Sequence, residues 1–247
     1  MSITPDFSTF KKEYEAGRNQ VIFSKLTSDL DTPVSIMLKL AGAKKNSFIL
    51  ESVTGGETRG RYSIIGMEPD LIWKCEGSQS FISSGNDEFT HIEGNPLNVF
   101  RDLLKQSAIN LPKDLPQASA GLFGYFGYDM VRHVEDLPNV NPDKIGLPDA
   151  MFIRPSIIAV LDGVKGEVIL VSPVFYNKNT SSNQAFEKAL KKIEDAIYEL
   201  RKQIVTNRNL GKSGEIEEPS SNFTKEEYKL AVKKAKAYIN QGDIFQV

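Results

Sequence analysis

Residues 151–171 read MFIRPSIIAVLDGVKGEVILV and contain two apolar runs separated by a short polar turn. Residues 151–161 and 167–171 are rich in isoleucine and valine, which favour β-strands. Asp162-Gly163 and Gly166, between the two runs, are typical of a tight hairpin turn. Strands joined by so short a turn pair antiparallel. This stretch therefore predicts an antiparallel β-hairpin.

Six further strands are predicted before this hairpin, with few helices between them. They cover residues 20–25, 47–52, 61–65, 71–75, 81–83 and 121–128. Glu76-Gly77-Ser78 can turn another hairpin between the strands that flank it. Because consecutive strands outnumber alternating strand–helix units, we expect an α+β fold, in which helices pack on a mostly antiparallel sheet.

Four helices are predicted from their capping residues and apolar spacing. Thr32-Pro33 and Asn95-Pro96 each place a capping side chain before a proline at the first helical position. Residues 183–205 have apolar side chains at every third or fourth position, which indicates a long amphipathic helix. The last helix begins after Thr224, where Glu227 completes a capping box. The first of the four helices is expected to bury Val34, Met37, Leu38 and Ala41, and the last is expected to bury Tyr228, Ala231, Ala235 and Tyr238.

Charge and composition exclude several classes of protein. The 247 residues include 30 basic and 32 acidic side chains, so there is no basic excess for binding nucleic acid or an anionic membrane. No run approaches the roughly 18 apolar residues that span a bilayer, and the N-terminus lacks the pattern of a secretory signal. Cys75 is the one cysteine, which precludes an intramolecular disulfide. We expect a cytoplasmic protein that binds neither nucleic acid nor membranes.

Residues 50–66 join two predicted strands through a glycine-rich turn and read LESVTGGETRGRYSIIG. One interpretation is a small zwitterion site, in which Glu51 meets an ammonium group, Ser52 hydrogen-bonds to it and an arginine binds a carboxylate through two N–H groups. The other interpretation is structural, because glycines permit a tight connection with positive φ and the charges of such a turn are solvated. The residues by themselves leave both interpretations open.

Two further segments of the sequence contain distinctive motifs. Residues 120–132 read AGLFGYFGYDMVR, and residues 237–247 read AYINQGDIFQV. The spacing of the first block is typical of a core strand in which glycines face large aromatic side chains. His91 and His133 have no metal-like spacing to Cys75, and no phosphate-binding loop follows a strand.

These three blocks together resemble the anthranilate synthase component I family. The shared motifs are Leu-Glu-Ser, Gly-Gly-Glu and Gly-Arg-Tyr-Ser-Ile-Ile-Gly, then Gly-Tyr-x-Gly-Tyr-Asp-x-Val-Arg, Pro-Asp-Ala and Gly-Asp-Ile-Phe-Gln-Val, in the family's order. The resemblance implies that residues 1–205 form the family's N-terminal regulatory domain and that 206–222 are a polar linker. Residues 223–247 would then begin a chorismate-binding catalytic domain that is truncated here, so we expect an N-terminal fragment.

The resemblance also implies an activity for the whole protein. The family's enzymes are lyases of tryptophan biosynthesis that convert chorismate and ammonia to anthranilate and pyruvate. They require Mg²⁺, receive ammonia from a glutamine amidotransferase subunit (component II) and are inhibited by L-tryptophan. The family's Mg²⁺ ligands and acid/base residues would lie beyond Val247. We therefore expect no metal site in this chain, and we expect the chain alone to be inactive.

Four residues receive roles from the resemblance. Glu51, Ser52 and Arg61 would line the tryptophan feedback pocket. Gln246 would stand at the edge of the chorismate site, where related isochorismate and salicylate synthases have a lysine that activates water. Because glutamine cannot take a proton near neutral pH, it suits ammonia as the nucleophile.

Other functions stay open at this point. Aminodeoxychorismate synthase component I, from the folate pathway, shares the fold, the substrate and the type of partner, but does not release pyruvate unaided. Gly55-Gly56-Glu57 and the Ile-Phe-Gln ending favour anthranilate synthase. A stand-alone tryptophan-binding module without catalysis is a second alternative, and an interaction protein without a ligand is a third.

Overall fold

The computed structural model describes residues 2–42, 44–52, 60–85, 88–138, 142–204 and 219–246. The chain divides into two compact units, Met1–Ile204 and Val205–Val247. In the described part of the first unit every strand pairing is antiparallel, and helices pack on the sheet. The predicted α+β fold with a mostly antiparallel sheet is confirmed.

Helices and strands of the first unit alternate along the chain without a regular pattern. Its helices are α1 (Phe7–Glu15), α2 (Pro33–Leu40), α3 (Pro96–Gln106) and α4 (Ser182–Leu200). Its strands are β1 (Gln20–Thr27), β2 (Phe48–Leu50), β3 (Tyr62–Glu76), β4 (Gln79–Ser83), β5 (Thr90–Ile92), β6 (Phe123–Phe126), β7 (Ala150–Asp162) and β8 (Glu167–Val174). The strand order is β1-β8-β7-β3-β4-β5, and β2 and β6 pair with β3 and β7 respectively.

β7 lies in the middle of the sheet and is apolar on both faces. Ile157 and Ala159 alternate along it with Ile158 and Val160, and successive strand residues point to opposite faces. The first pair belongs to the core beneath α1, α2 and α4, whereas the second packs with side chains of β1 and β8 on the other face. The β7–β8 hairpin predicted from residues 151–171 is confirmed.

β3 is one strand of 15 residues, where the sequence predicts two strands at 61–65 and 71–75. The prediction of a break was wrong because the chain bulges instead of turning. Glu68 adopts a φ of 50°, and the pairing with β7 shifts between Pro69 and Leu71. A bulge bends a strand while the strand stays paired, so β3 remains on β7 along its length.

The buried face of α2 agrees with the predicted one at Ala41 and, in part, at Met37, which packs against the core, but not at Val34 and Leu38. Ile36, Leu40 and Ala41 are buried, whereas Val34 and Leu38 are half-exposed. This helix has only eight residues, and most of them are apolar. Its spacing therefore permits more than one apolar stripe, and the contact with the sheet selects one of them.

The strand predicted in the core at 121–128 is shorter than predicted and more exposed. β6 pairs with the start of β7, and Tyr125 and Phe126 are about half-exposed. A Cβ added to Gly124 would lie 1.9 Å from the carbonyl oxygen of Met151. The glycine therefore serves the close approach of the two backbones.

α1 and β5 have no counterpart among the predicted elements. α1 begins at the N-cap Asp6, whose side chain accepts a hydrogen bond from the backbone N–H of Thr9. It buries Phe10 and Tyr14, and Phe7 packs against the same core; this helical spacing is present in the sequence and was missed. β5 has three residues, fewer than a pattern needs.

The second unit contains α5 (Lys225–Gln241). The predicted capping box between Thr224 and Glu227 is confirmed, and the helix ends at Gly242 with a φ of +81°. No residue of α5 is buried, so its predicted stripe is not a buried one. Most of the predicted linker, 206–222, lies outside the described residues. Over the described parts of the chain, the helices are too short or too polar to cross a membrane.

Candidate functional site

Five strands begin or finish at one end of the sheet: β1, β2 and β7 finish there, and β3 and β8 begin there. At this end Tyr62 pairs with Asp162, and Thr27 pairs with Glu167. Together with the start of α2 these strand ends enclose an open cleft of about 580 Å³, which we call the end cleft. This volume is in the range of small-molecule sites. Its lining includes Asp29, Ser52, Arg61, Ser63, Asp162 and Glu167. Two of the three residues that the sequence places in a tryptophan pocket, Ser52 and Arg61, therefore share one cleft.

Ser52 follows the end of β2 and is held through its backbone. Its N–H donates a hydrogen bond to Ser63 Oγ at 3.2 Å, and Ser63 is buried on β3. Glu51 is exposed and does not line the cleft, because neighbouring residues of an extended chain point to opposite sides. The role predicted for Glu51 stays a prediction. The turn with Gly55-Gly56-Glu57 lies outside the described residues.

Arg61 is bound by Asp162, which the sequence analysis places only in a turn. Arg61 Nε donates to Asp162 Oδ1 at 2.8 Å, and Arg61 Nη2 donates to Oδ2 at 2.5 Å, so the pair is bidentate. Asp162 Oδ1 also accepts the backbone N–H groups of Val164 and Lys165. The side chain of Asp162 is 3% exposed and that of Arg61 is 27% exposed. This carboxylate ties the β7–β8 turn to the start of β3.

The electrostatic surroundings keep Asp162 ionised. The hydrogen bond from Arg61 holds the pKa of the Asp162 carboxyl below its ordinary value of 3.8. Desolvation raises this pKa, and the N–H groups of Lys165 and Val164 lower it. The carboxyl is therefore charged at neutral pH. Only the register between β3 and β7 brings Asp162 next to Arg61, so no local sequence signal identifies the pair.

The end cleft carries more negative than positive charge. Its ionisable lining residues are Asp29, Asp31, Asp162, Glu167 and Arg61. Asp31 pairs with Lys39 at 2.7 Å and Asp162 pairs with Arg61, whereas Asp29 and Glu167 form no ion pair with any residue that the structure describes. Free carboxylates beside a guanidinium form charge-assisted hydrogen bonds with ammonium groups. The arrangement suits a cationic or zwitterionic ligand.

Gln246 belongs to the second unit and is described apart from the end cleft. It is exposed and follows α5, and Val247 after it lies outside the described residues. Its proposed place at a chorismate site stays a prediction.

The aromatic block between residues 120 and 132 has a structural role in this fold. The N–H of Gly127 donates to the carbonyl of Asp149 at 2.7 Å, and Tyr125 donates through its hydroxyl to the carbonyl of Pro148 at 3.0 Å. Asp149 Oδ2 in turn accepts the N–H of Gly77 at 2.6 Å. These bonds fix β6 to the entry of β7 and to the β3–β4 turn.

Within the described ranges, no group of three or more His, Cys, Asp or Glu side chains is placed to hold a metal ion. Cys75 Sγ and His133 Nε2 are 3.6 Å apart. Burial, helped by the charges of Asp149 and Glu76, raises the pKa of Cys75 to about 11, and a neutral thiol is not a metal ligand. The described residues do not fit the Mg²⁺ that the resemblance implies.

The family of this chain follows from its similarity to known proteins. A family model described as chorismate binding enzyme matches residues 45–247. The chain belongs to the chorismate binding enzyme family. Within it, the anthranilate synthase component 1 of Cereibacter sphaeroides is 51% identical over 245 residues, which are 98% of this chain and 49% of that protein.

Other members of the family have the same name. The anthranilate synthase component 1 of Pseudomonas putida is 38% identical over 232 residues, with 89% of this chain and 45% of that protein covered. The protein of the same name from Acetivibrio thermocellus is 36% identical over 226 residues, with 89% and 45% covered. The chain therefore spans about half the length of the relatives it matches.

A solved structure agrees with the fold. The crystal structure of anthranilate synthase component I from Streptococcus pneumoniae TIGR4 matches with a TM-score of 0.52 and 21% identity, over 88% of this chain and 46% of that chain. At this identity the likeness concerns the fold alone. The resemblance to the anthranilate synthase component I family, and the fold it implies, are confirmed.

Proposed function

We propose that this chain is part of an anthranilate synthase, which converts chorismate and ammonia to anthranilate and pyruvate in tryptophan biosynthesis. The observation that carries the proposal is the 51% identity, over 98% of the chain, to the anthranilate synthase component 1 of Cereibacter sphaeroides. The whole protein is a cytoplasmic lyase that requires Mg²⁺ and receives ammonia from a glutamine amidotransferase subunit. The chain of 247 residues is inactive without the remainder.

The proposal gives each part of the chain a role. Residues 1–205 form a regulatory domain, 206–222 a linker and 223–247 the beginning of the catalytic domain, with Gln246 at the edge of the chorismate site. Tryptophan binds in the end cleft, which Ser52 and Arg61 line and where Asp29 and Glu167 are available for its ammonium group. Inhibition requires that tryptophan binds one state of the enzyme more tightly than the other.

A product assay tests the activity. The protein expressed from its whole reading frame is incubated with chorismate, Mg²⁺ and an ammonium salt, and anthranilate fluorescence and pyruvate are measured in parallel. We expect both products in equal amounts. Aminodeoxychorismate without pyruvate would identify the folate enzyme instead, and no consumption of chorismate would contradict both assignments.

The feedback site has a separate test. Ser52→Phe places a bulky ring in the end cleft and is expected to weaken tryptophan inhibition while activity is retained. Ser78→Phe makes the same change at an exposed turn outside the cleft and is the matched control. Titration calorimetry of the 247-residue chain with L-tryptophan, and with L-phenylalanine for comparison, measures binding directly. Unchanged inhibition in Ser52→Phe would remove the tryptophan assignment and leave the catalytic one standing.

A further inference from the structure

A second cleft lies where α4 passes over the bulge of β3 and the end of β8. It has a volume of about 490 Å³, and we call it the helix cleft. It shares no lining residue with the end cleft. The proposed tryptophan site therefore lies elsewhere on the domain.

Two lysines of α4 supply positive charge to the helix cleft. Lys188 and Lys192 are one helical turn apart and lie on the same face, and both line the cleft with the small Ala185 and Ala189. Lys192 Nζ donates to Ser156 Oγ at 2.6 Å and to Glu68 Oε2 at 3.3 Å. An ammonium has three N–H groups, so one N–H of Lys192 remains available. Lys188 has no hydrogen bond or ion pair with the part of the chain that the structure describes.

The carboxylates of the helix cleft are already engaged. Glu68 pairs with Lys44 at 2.9 Å as well as with Lys192, and Lys44 and Lys192 hold its pKa below the ordinary value although desolvation raises it. Asp70 accepts two hydrogen bonds from Arg154, at 2.7 and 3.0 Å. Three cations that line the cleft, Lys188, Lys192 and Arg154, therefore face two carboxylates, so the cleft has an excess of positive charge.

Part of the remaining wall of the cleft is apolar. Val174 and Tyr176 line it beside the alanines of α4, and Tyr176 is 44% exposed. Tyr14 also lines the cleft, and its hydroxyl donates to the carbonyl of Asn177 and accepts the N–H of the same residue. A ligand that fits these surfaces has an anionic group for the lysines and an apolar ring for the wall.

We propose that the helix cleft is a binding site for a small aromatic carboxylate. Lys188 and the third N–H of Lys192 bind the carboxylate, and the ring lies against Val174 and Tyr176. The site is independent of the proposed tryptophan site.

Benzoate and benzamide are matched probes for this proposal, because they share a ring and differ in charge. The ¹⁵N-labelled chain is titrated with each at constant ionic strength, and amide chemical shifts are recorded. We expect saturable shifts with benzoate at residues 185–192 and at Tyr176, and none with benzamide at the same concentrations. Equal shifts with both probes, no shifts with benzoate, or benzoate shifts confined to Ser52 and Arg61 would overturn the proposal.

Lys188→Ala and Lys191→Ala separate a specific contact from a change in net charge. Both lysines are exposed residues of α4, but Lys191 pairs with Asp195 and does not line the cleft. Lys188→Ala is expected to weaken benzoate binding about two- to five-fold, the range of one exposed charge pair, and Lys191→Ala is expected to leave it unchanged. Equal weakening in both variants would show that only the net charge matters, and the proposed site would then be wrong.

Discussion

The end cleft and the helix cleft are each built beside a bidentate arginine–aspartate pair, but the two pairs differ in burial. In the end cleft the aspartate is Asp162, whose side chain is 3% exposed. In the helix cleft it is Asp70, whose side chain is 40% exposed. A buried carboxylate that loses its partner pays a desolvation cost that an exposed one avoids. The same pair of residue types, arginine and aspartate, is therefore structural in the end cleft. In the helix cleft its carboxylate lies on an accessible surface.

The clefts also differ in the sign of their charge. The end cleft has unpaired carboxylates at Asp29 and Glu167, as judged from the described residues. The helix cleft has the ammonium of Lys188, which pairs with none of the residues that the structure describes. A net charge of −2 for the chain conceals both, because opposite patches on one domain cancel in the sum.

The largest expected effect concerns the buried pair. Asp162→Asn keeps the shape of the side chain but removes its charge, so Arg61 loses its ion pair with Asp162. We expect the free energy of unfolding to fall by about 2–3 kcal/mol, near the lower end of the range for a broken buried pair, because Arg61 keeps contact with water. Urea unfolding at pH 7 measures the change. A loss below about 0.5 kcal/mol, which is typical of an ordinary surface substitution, would show that burial of this carboxylate does not matter.

The pH dependence of the same pair sharpens the comparison. The folded-state pKa of Asp162 lies below 3.8, so its stabilising contribution is fully present above the unfolded-state pKa of about 3.9 and is lost as the pH falls through the folded-state pKa. The stability difference between the unmodified chain and Asp162→Asn should be constant between about pH 5 and 7 and shrink below about pH 4. Unfolding curves at a series of pH values test this. A difference that persists undiminished in acid would mean that the charge of Asp162 does not carry the effect.

The smallest expected effect concerns the pair whose carboxylate is the more exposed, although its arginine, Arg154, is 14% exposed. Asp70→Asn makes the same chemical change in the helix cleft, where Arg154 also donates to Ser107 Oγ at 3.2 Å and packs over the Phe175 ring. Because these contacts remain, we expect a loss of about 1 kcal/mol or less. The same urea unfolding experiment applies. If Asp70→Asn cost as much as Asp162→Asn, burial would not be what distinguishes the two clefts.

Local features of the fold could be predicted from the sequence. The hairpin of residues 151–171 and the capping box at Thr224 depend on side chains a few positions apart, so their signals are contained in short segments. The buried face of α2 could not be predicted, since an almost wholly apolar helix of eight residues has no unique stripe. The continuity of β3 also escaped prediction, because a bulge at Glu68 and a true turn have similar local sequences.

The residues of the candidate sites also differ in whether the sequence could identify them. Ser52 and Arg61 could be nominated from the letters around them, and the structure brings both to the end cleft. Asp162 could not be identified as the partner of Arg61, because the two residues are 101 positions apart along the chain. Lys188 and Lys192 are visible in the sequence as charges off the apolar stripe of α4, a pattern typical of a solvated face. The bulge of β3 lies beneath these two lysines, and together with that face of α4 it forms the helix cleft.

The sequence by itself determined the antiparallel hairpin, the capped helices and the resemblance to anthranilate synthase component I, because each depends on residues that are close in the chain or on the text itself. The tertiary structure decided which helix face is buried, that β3 continues through its bulge, and that Asp162 holds Arg61. It also decided that one domain carries an acidic and a cationic cleft. These outcomes depend on strand register and on packing between distant segments, where burial sets the energy of each charge and no local pattern records it.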